Sequence, residues 1–140
     1  MEYQWNFAPV FAHSDALLVG ALGTLRIFVV CLLLGLSLGL LVGLARYSTR
    51  RLLTWPAAAF VEFFRNTPVL VQIIWFFFAL PILVPFEISP MTAAVLGISL
   101  NSAAFSAEIF RGGIQSIEPG QWEAGRAIGM SYAQIMRRII

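Results

Sequence analysis

Three uncharged, mostly apolar stretches dominate this chain: Ile27–Leu44, Asn66–Phe86 and Ile88–Ala107. A helix rises about 1.5 Å per residue, so about 20 residues cover a hydrocarbon layer of roughly 30 Å. Each stretch is long enough to cross a bilayer. Composition agrees, with 59% of residues hydrophobic and only 11% charged, where a soluble domain carries about 25%. The solvent that such a chain requires is largely lipid.

Pro81, Pro85 and Pro90 separate the last two stretches. They predict that the second span ends near Leu80, that the third begins near Met91, and that an external turn lies between them. The first helix is expected to start near Ala16. Arg26 then falls close to the opposite headgroups, where its long side chain can snorkel to water. The expected spans run over residues 17–44, 67–81 and 90–110, with a cytoplasmic segment at 111–140.

All nine basic residues are Arg. Without Lys there is no phosphate-binding loop of the G-x-x-x-x-G-K-[ST] kind, so any ATP that drives this protein must be bound by another chain. The Arg residues also set orientation. Residues 1–20 hold Glu2 and Asp15 but no Arg, and the turn at 81–90 has none. Arg46, Arg50, Arg51 and Arg65 follow the first span, and Arg111, Arg126, Arg137 and Arg138 follow the third. Basic residues stay in the cytoplasm, which puts the N-terminus outside and the tail inside. Tyr3, Trp5 and Phe7 fit an interfacial aromatic group. A net charge of +2, spread over short clusters, argues against a nucleic-acid surface. Cys31 and His13 are single, which removes a disulfide framework and any multi-His or Cys-based metal site. Cys31 sits in an apolar run and reads as a packing residue. The N-terminus lacks the basic region and cleavage site of a signal peptide.

Gly35, Gly39 and Gly43 recur every four residues and predict a stripe where another helix backbone can approach closely. Ser99, Ser102 and Ser106 share one face of the third span. Asn101 lies about 100° away around that helix and is the most polar side chain at depth. Two roles are open to Asn101: lining a pathway with Ser102 and Ser106, or an interhelical hydrogen bond of about 0.6–2 kcal/mol. Glu62/Arg65 and Glu108/Arg111 are i, i+3 pairs that end spans at the headgroups. No catalytic arrangement is visible at depth, which argues against an intramembrane enzyme. The uncharged span centres likewise argue against the alternative of an ion-coupled secondary transporter or channel.

The tail carries a second pattern. Pro119 suits a first helical turn, with Glu118 and Glu123 near its positive end. Gly129 is a natural stop. Ser131 and Gln134 form the S-x-x-Q capping box of a further helix, with Ile135, Met136, Ile139 and Ile140 as its apolar face. A cytoplasmic helix–turn–helix results.

This tail resembles the signature of ABC importer permeases: Glu-Ala-Ala, three residues, Gly, nine residues, then Ile-x-Leu-Pro. Here the run is Glu123-Ala124-Gly125, three residues, Gly129, nine residues, then Ile139-Ile140. Gly replaces Ala at the third place, one small residue for another. EFFRNTPVLVQIIWFFFALP (Glu62–Pro81) and EIFRGGIQSIEPGQWEAGRAIG (Glu108–Gly129) are similar to permeases of the histidine, glutamine, arginine and opine group. The similarity runs from about Leu17 to Ile140.

The resemblance implies an all-α integral membrane fold. It would be a partial version of the family's roughly five-helix permease, with three spans plus the coupling helix–turn–helix. It implies a bacterial inner-membrane location and uptake of polar amino acids. The implied partners are two cytoplasmic ATPase subunits, a second permease subunit (identical or different), an extracytoplasmic solute-binding protein and membrane lipid. No cofactor is expected on this chain, because ATP is bound by the partner. Glu123, Ala124, Gly125 and Gly129 are the expected coupling interface, their small side chains letting a partner pack against the backbone.

Overall fold

The computed structural model of the chain describes residues 7–139. The expected roles of Glu2, Tyr3, Trp5 and Ile140 therefore lie outside the described residues. Seven helices follow one another: α1 (Ala8–Ala12), α2 (Ser14–Tyr47), α3 (Arg51–Asn66), α4 (Val69–Leu83), α5 (Pro90–Gln115), α6 (Pro119–Ala127) and α7 (Tyr132–Arg138). Among the described residues there is no strand. The all-α membrane fold is as expected. Helices α2 and α5 are long and apolar enough to cross a bilayer, and the bent pair α3–α4 makes a third candidate span.

The core of this fold is built from small residues. Helix α2 lies along α5 with Gly35, Gly39 and Gly43 facing it, all buried. A Cβ on Gly35 would stand 2.8 Å from Ser102 Cβ. One on Gly39 would stand 2.6 Å from Ser106 Cβ and 2.9 Å from the Ala103 carbonyl, and one on Gly43 would stand 2.8 Å from the Ala107 carbonyl. Ala93, Ala103, Ala104 and Ala107 of α5 are fully buried. Cys31 is buried nearby, its Sγ 3.9 Å from the Val95 carbonyl. Large apolar side chains point outward instead, such as Leu33 (61% exposed) and Leu41 (64%). Water would make that arrangement unstable, whereas hydrocarbon chains accept it.

Helix α3 is the largest departure from the sequence expectation, which places no helix between the spans at 17–44 and 67–81. Its charges and Pro56 hid an amphipathic helix whose Ala57 and Val61 are buried at i, i+4 spacing. Pro68 ends it by holding Thr67 extended (φ −104°, ψ 125°). The chain then turns by 104° into α4. The break frees carbonyls at the end of α3, and two amides collect them. Asn101 Nδ2 donates to the Phe64 carbonyl at 2.8 Å. Gln72 Nε2 donates to the same carbonyl at 2.9 Å and to that of Thr67 at 2.7 Å. Gln72 is only 4% exposed. Helix α4 also closes on α5, where a Cβ at Gly97 would meet Ile73 Cγ1 at 2.7 Å.

Pro81 does not end α4 as expected. The helix widens into a π turn over Trp75–Ala79, with the Leu80 N–H reaching back to the Trp75 carbonyl. This wider turn, just before Pro81, eases the clash between the proline ring and the carbonyl four residues earlier. The helix therefore continues to Leu83. Pro90 opens α5 beneath Ser89, whose hydroxyl accepts from the Thr92 N–H at 3.1 Å.

Gly39→Val should destabilise the α2–α5 pair by about 1–3 kcal/mol. Gly23→Val should be silent, because nothing lies within 4 Å of its new Cβ. Thermal unfolding in detergent checks this, and equal Tm values would reject the close-approach account. At the bend, Asn101→Leu and Gln72→Leu should each cost about 0.6–2 kcal/mol. Either amide alone still serves the Phe64 carbonyl, so the double variant should lose more than the sum. A double-mutant cycle on the same unfolding measurement reads that coupling.

Candidate functional site

The helix–turn–helix at the end of the chain is an elbow whose turn is locked by its own backbone. Gly129 has φ +78°, a left-handed conformation that L side chains resist. Its N–H donates to the Arg126 carbonyl and the Met130 N–H donates to the Gly125 carbonyl, both at 3.0 Å. These two bonds close a Schellman motif on α6. Helix α7 then begins with a complete capping box. The Ser131 N–H donates to Gln134 Oε1 at 2.7 Å, and the Gln134 N–H to Ser131 Oγ at 3.4 Å.

The interior of the elbow is apolar. Ile135 is 1% exposed and lies against Gly125, where a Cβ would sit 3.0 Å from both Ile135 Cγ1 and Ile139 Cδ1. This corrects one part of the expected coupling surface. Glu123, Ala124 and Gly129 are exposed, but Gly125 is buried. Its small size makes room for α7, so it cannot present backbone to a partner. The sequence reading passed over Ile128, which stands at the tip of the elbow 78% exposed. An apolar residue just before the left-handed glycine was the available signal.

The elbow is attached to α2 by rings, and the membrane helices beside it are tied to one another by charges. Tyr47 at the end of α2 stacks on Trp122 of α6 (centroids 6.4 Å, planes 22° apart), and Trp122 stacks on Tyr132 of α7 (6.0 Å, 27°). The three rings, with Glu123 and Arg126, line a cleft of about 810 Å³. Glu108 of α5 gathers three arginines. Arg46 Nη1 of α2 lies 2.5 Å away, Arg111 Nη2 of α5 lies 2.8 Å away, and Arg65 Nη1 of α3 lies 3.9 Å away. The expected Glu62/Arg65 pair is thus not formed. Arg65 turns to Glu108 and sits over the Phe105 ring at 5.2 Å, while Glu62 accepts from Asn66 Nδ2 at 3.1 Å.

The three candidate pathway residues fall on two sides of α5. Asn101 reaches α3, whereas Ser102 and Ser106 meet α2 at Gly35 and Gly39. The two serines, with Thr24 and Cys31, line a cleft of about 350 Å³ between α2 and α5. Among the described residues no group of His, Cys, Asp or Glu is placed to hold a metal ion.

Residues 35–140 match the family described as binding-protein-dependent transport system inner membrane component. The chain belongs to this permease family. It is 42% identical to the probable amino-acid ABC transporter permease protein YckA of Bacillus subtilis, over 99% of the chain and 61% of that protein. It is 40% identical to the glutamine transport system permease protein GlnP of Escherichia coli, over 100% of the chain and 64% of that protein. Among solved structures, an amino acid ABC transporter crystallised with histidines superposes with a TM-score of 0.85 at 31% identity. That match covers 96% of the chain and 63% of the solved one. The permease chain therefore spans a little under two thirds of the length of these relatives.

In this permease, Gly129→Ala should destabilise the elbow by about 1 kcal/mol through its positive φ, and Gly129→Asn by less, because Asn tolerates that region. The side chain itself would point into open space. Limited proteolysis between α6 and α7 reads the difference, and equal cleavage of the two variants would show that the backbone is not what requires glycine.

Proposed function

We propose that this chain is part of the membrane path of an ATP-driven importer of polar amino acids, and that its elbow couples the path to a separate ATPase. The observation that carries this reading is the preformed elbow, with Glu123, Ala124, Ile128 and Gly129 exposed on its outer surface. The relatives support the cargo class: YckA carries the name of an amino-acid permease, and GlnP that of a glutamine one. ATP is bound and hydrolysed by the partner, and no cofactor belongs to this chain. A second permease subunit completes the path, and an extracytoplasmic solute-binding protein delivers the amino acid. The chain lies in the bacterial inner membrane with its N-terminus outside and its elbow inside, following its arginines.

Each element has a physical role in this scheme. Ala124 leaves the middle of α6 flat, Ile128 offers an apolar knob at the tip, and Glu123 a charge at the rim. An apolar centre with a polar rim is the composition of a protein docking site. ATP-driven motion of the partner can shift the membrane helices only if the elbow is gripped differently in the two states.

Ala124→Trp should leave membrane insertion intact and lower recovery of the ATPase with the affinity-purified permease at least tenfold. Ile128→Asp should do the same. A cysteine at Gln121 should be labelled only by reagents that reach the cytoplasm. Labelling from the outer side would rule out an ATPase contact, and normal ATPase recovery in both variants would remove the docking role from this surface.

A further inference from the structure

The elbow meets the membrane helices in two ways, and they differ in stiffness. On one side it continues from α5 through Gly112 and Gly113, both inside that helix. Nothing lies within 4 Å of where either side chain would begin, so close packing does not require glycine there. Glycine inside a helix weakens it, and two in succession make this the most compliant stretch of α5. On the other side, Tyr47 is the last residue of α2, an unbroken helix of 34 residues. Its ring stacks on Trp122, which stacks on Tyr132, so one column of three rings joins α2 to both arms of the elbow. The centroid separations of 6.4 and 6.0 Å lie in the range where offset rings attract.

We infer that this column is the strut that carries movement of the elbow into the membrane, with Trp122 as its positioning residue and Gly112–Gly113 as the hinge that lets the elbow move. The inference rests on the reading that the elbow docks on an ATPase. Displacement of the elbow bends α5 at its glycines and pushes or pulls the end of α2 through Tyr47. One residue before Tyr47, Arg46 is held by Glu108 of α5 at 2.5 Å. Movement of α2 therefore returns to α5 above the hinge. The route bypasses the weak segment.

The test uses the permease assembled with its ATPase and binding protein in proteoliposomes, with radiolabelled arginine and glutamine as probes. Uptake, ATP hydrolysis and retention of the ATPase are measured together. Trp122→Leu should retain the ATPase and hydrolyse ATP, but uptake per ATP should fall at least fivefold. Trp122→Phe keeps an aromatic face and should restore at least half of the wild-type ratio. Gly112→Ala/Gly113→Ala, which stiffens the hinge, should slow uptake several-fold with the ATPase still bound. A Trp122→Leu ratio within twofold of wild type would overturn the strut. Loss of the ATPase from Trp122→Leu would also overturn it, by assigning Trp122 to the docking surface. Failure of the wild-type chain to hold any ATPase would remove the coupling function itself, and the strut with it.

Discussion

Everything in this structure depends on how closely the backbones of α2 and α5 approach each other. In lipid, helices gain little from burying apolar side chains, since the surrounding tails are equally apolar. What remains is close van der Waals contact. The glycines at 35, 39 and 43 lie against Ser102, Ser106 and Ala107 with no room for a methyl group. The same device recurs at Gly97, where Ile73 of α4 fills the space. Helix α5 is thereby contacted on separate faces by α2 and α4. Its polar residues are sorted accordingly, the serines toward one neighbour and Asn101 toward α3.

A bent span raises the opposite problem, since ending a helix leaves carbonyls without intrahelical partners. Here Gln72 and Asn101 act as a detached cap for α3. One comes from eight residues along the chain and the other from thirty-seven. The bend is therefore held by local and tertiary bonds together. Near the elbow end of α5, Glu108 does a similar job with charge, pairing at one carboxylate with arginines from three helices.

What could be read from the sequence followed from how local the underlying physics was. The capping box at Ser131 and the glycine stop at 129 depend on residues within four positions, and both stand as anticipated. The uncharged stretches announced α2 and α5 because length and hydropathy are sufficient criteria. Helix α3 was hidden because a search for uncharged runs discards a helix carrying Arg51, Glu62 and Arg65. The π turn before Pro81 has no pattern of its own, so the sequence alone reads proline as a stop. Gly125 is illegible for a different reason: a motif says that a position is small, but not whether its neighbour belongs to the same chain or to another. Only the placement of Ile135 decides that. The partner of Arg65 was equally illegible, since Glu62 is near in sequence and Glu108 is near in space.

The locked turn at Gly129 has one more implication. Both of its backbone bonds and the capping box that follows are satisfied inside the chain. The elbow therefore gives up its conformational freedom when the chain folds, and not when something binds to it. A surface prepared in this way can be gripped and released repeatedly without melting and re-forming. That would suit the coupling role proposed for it.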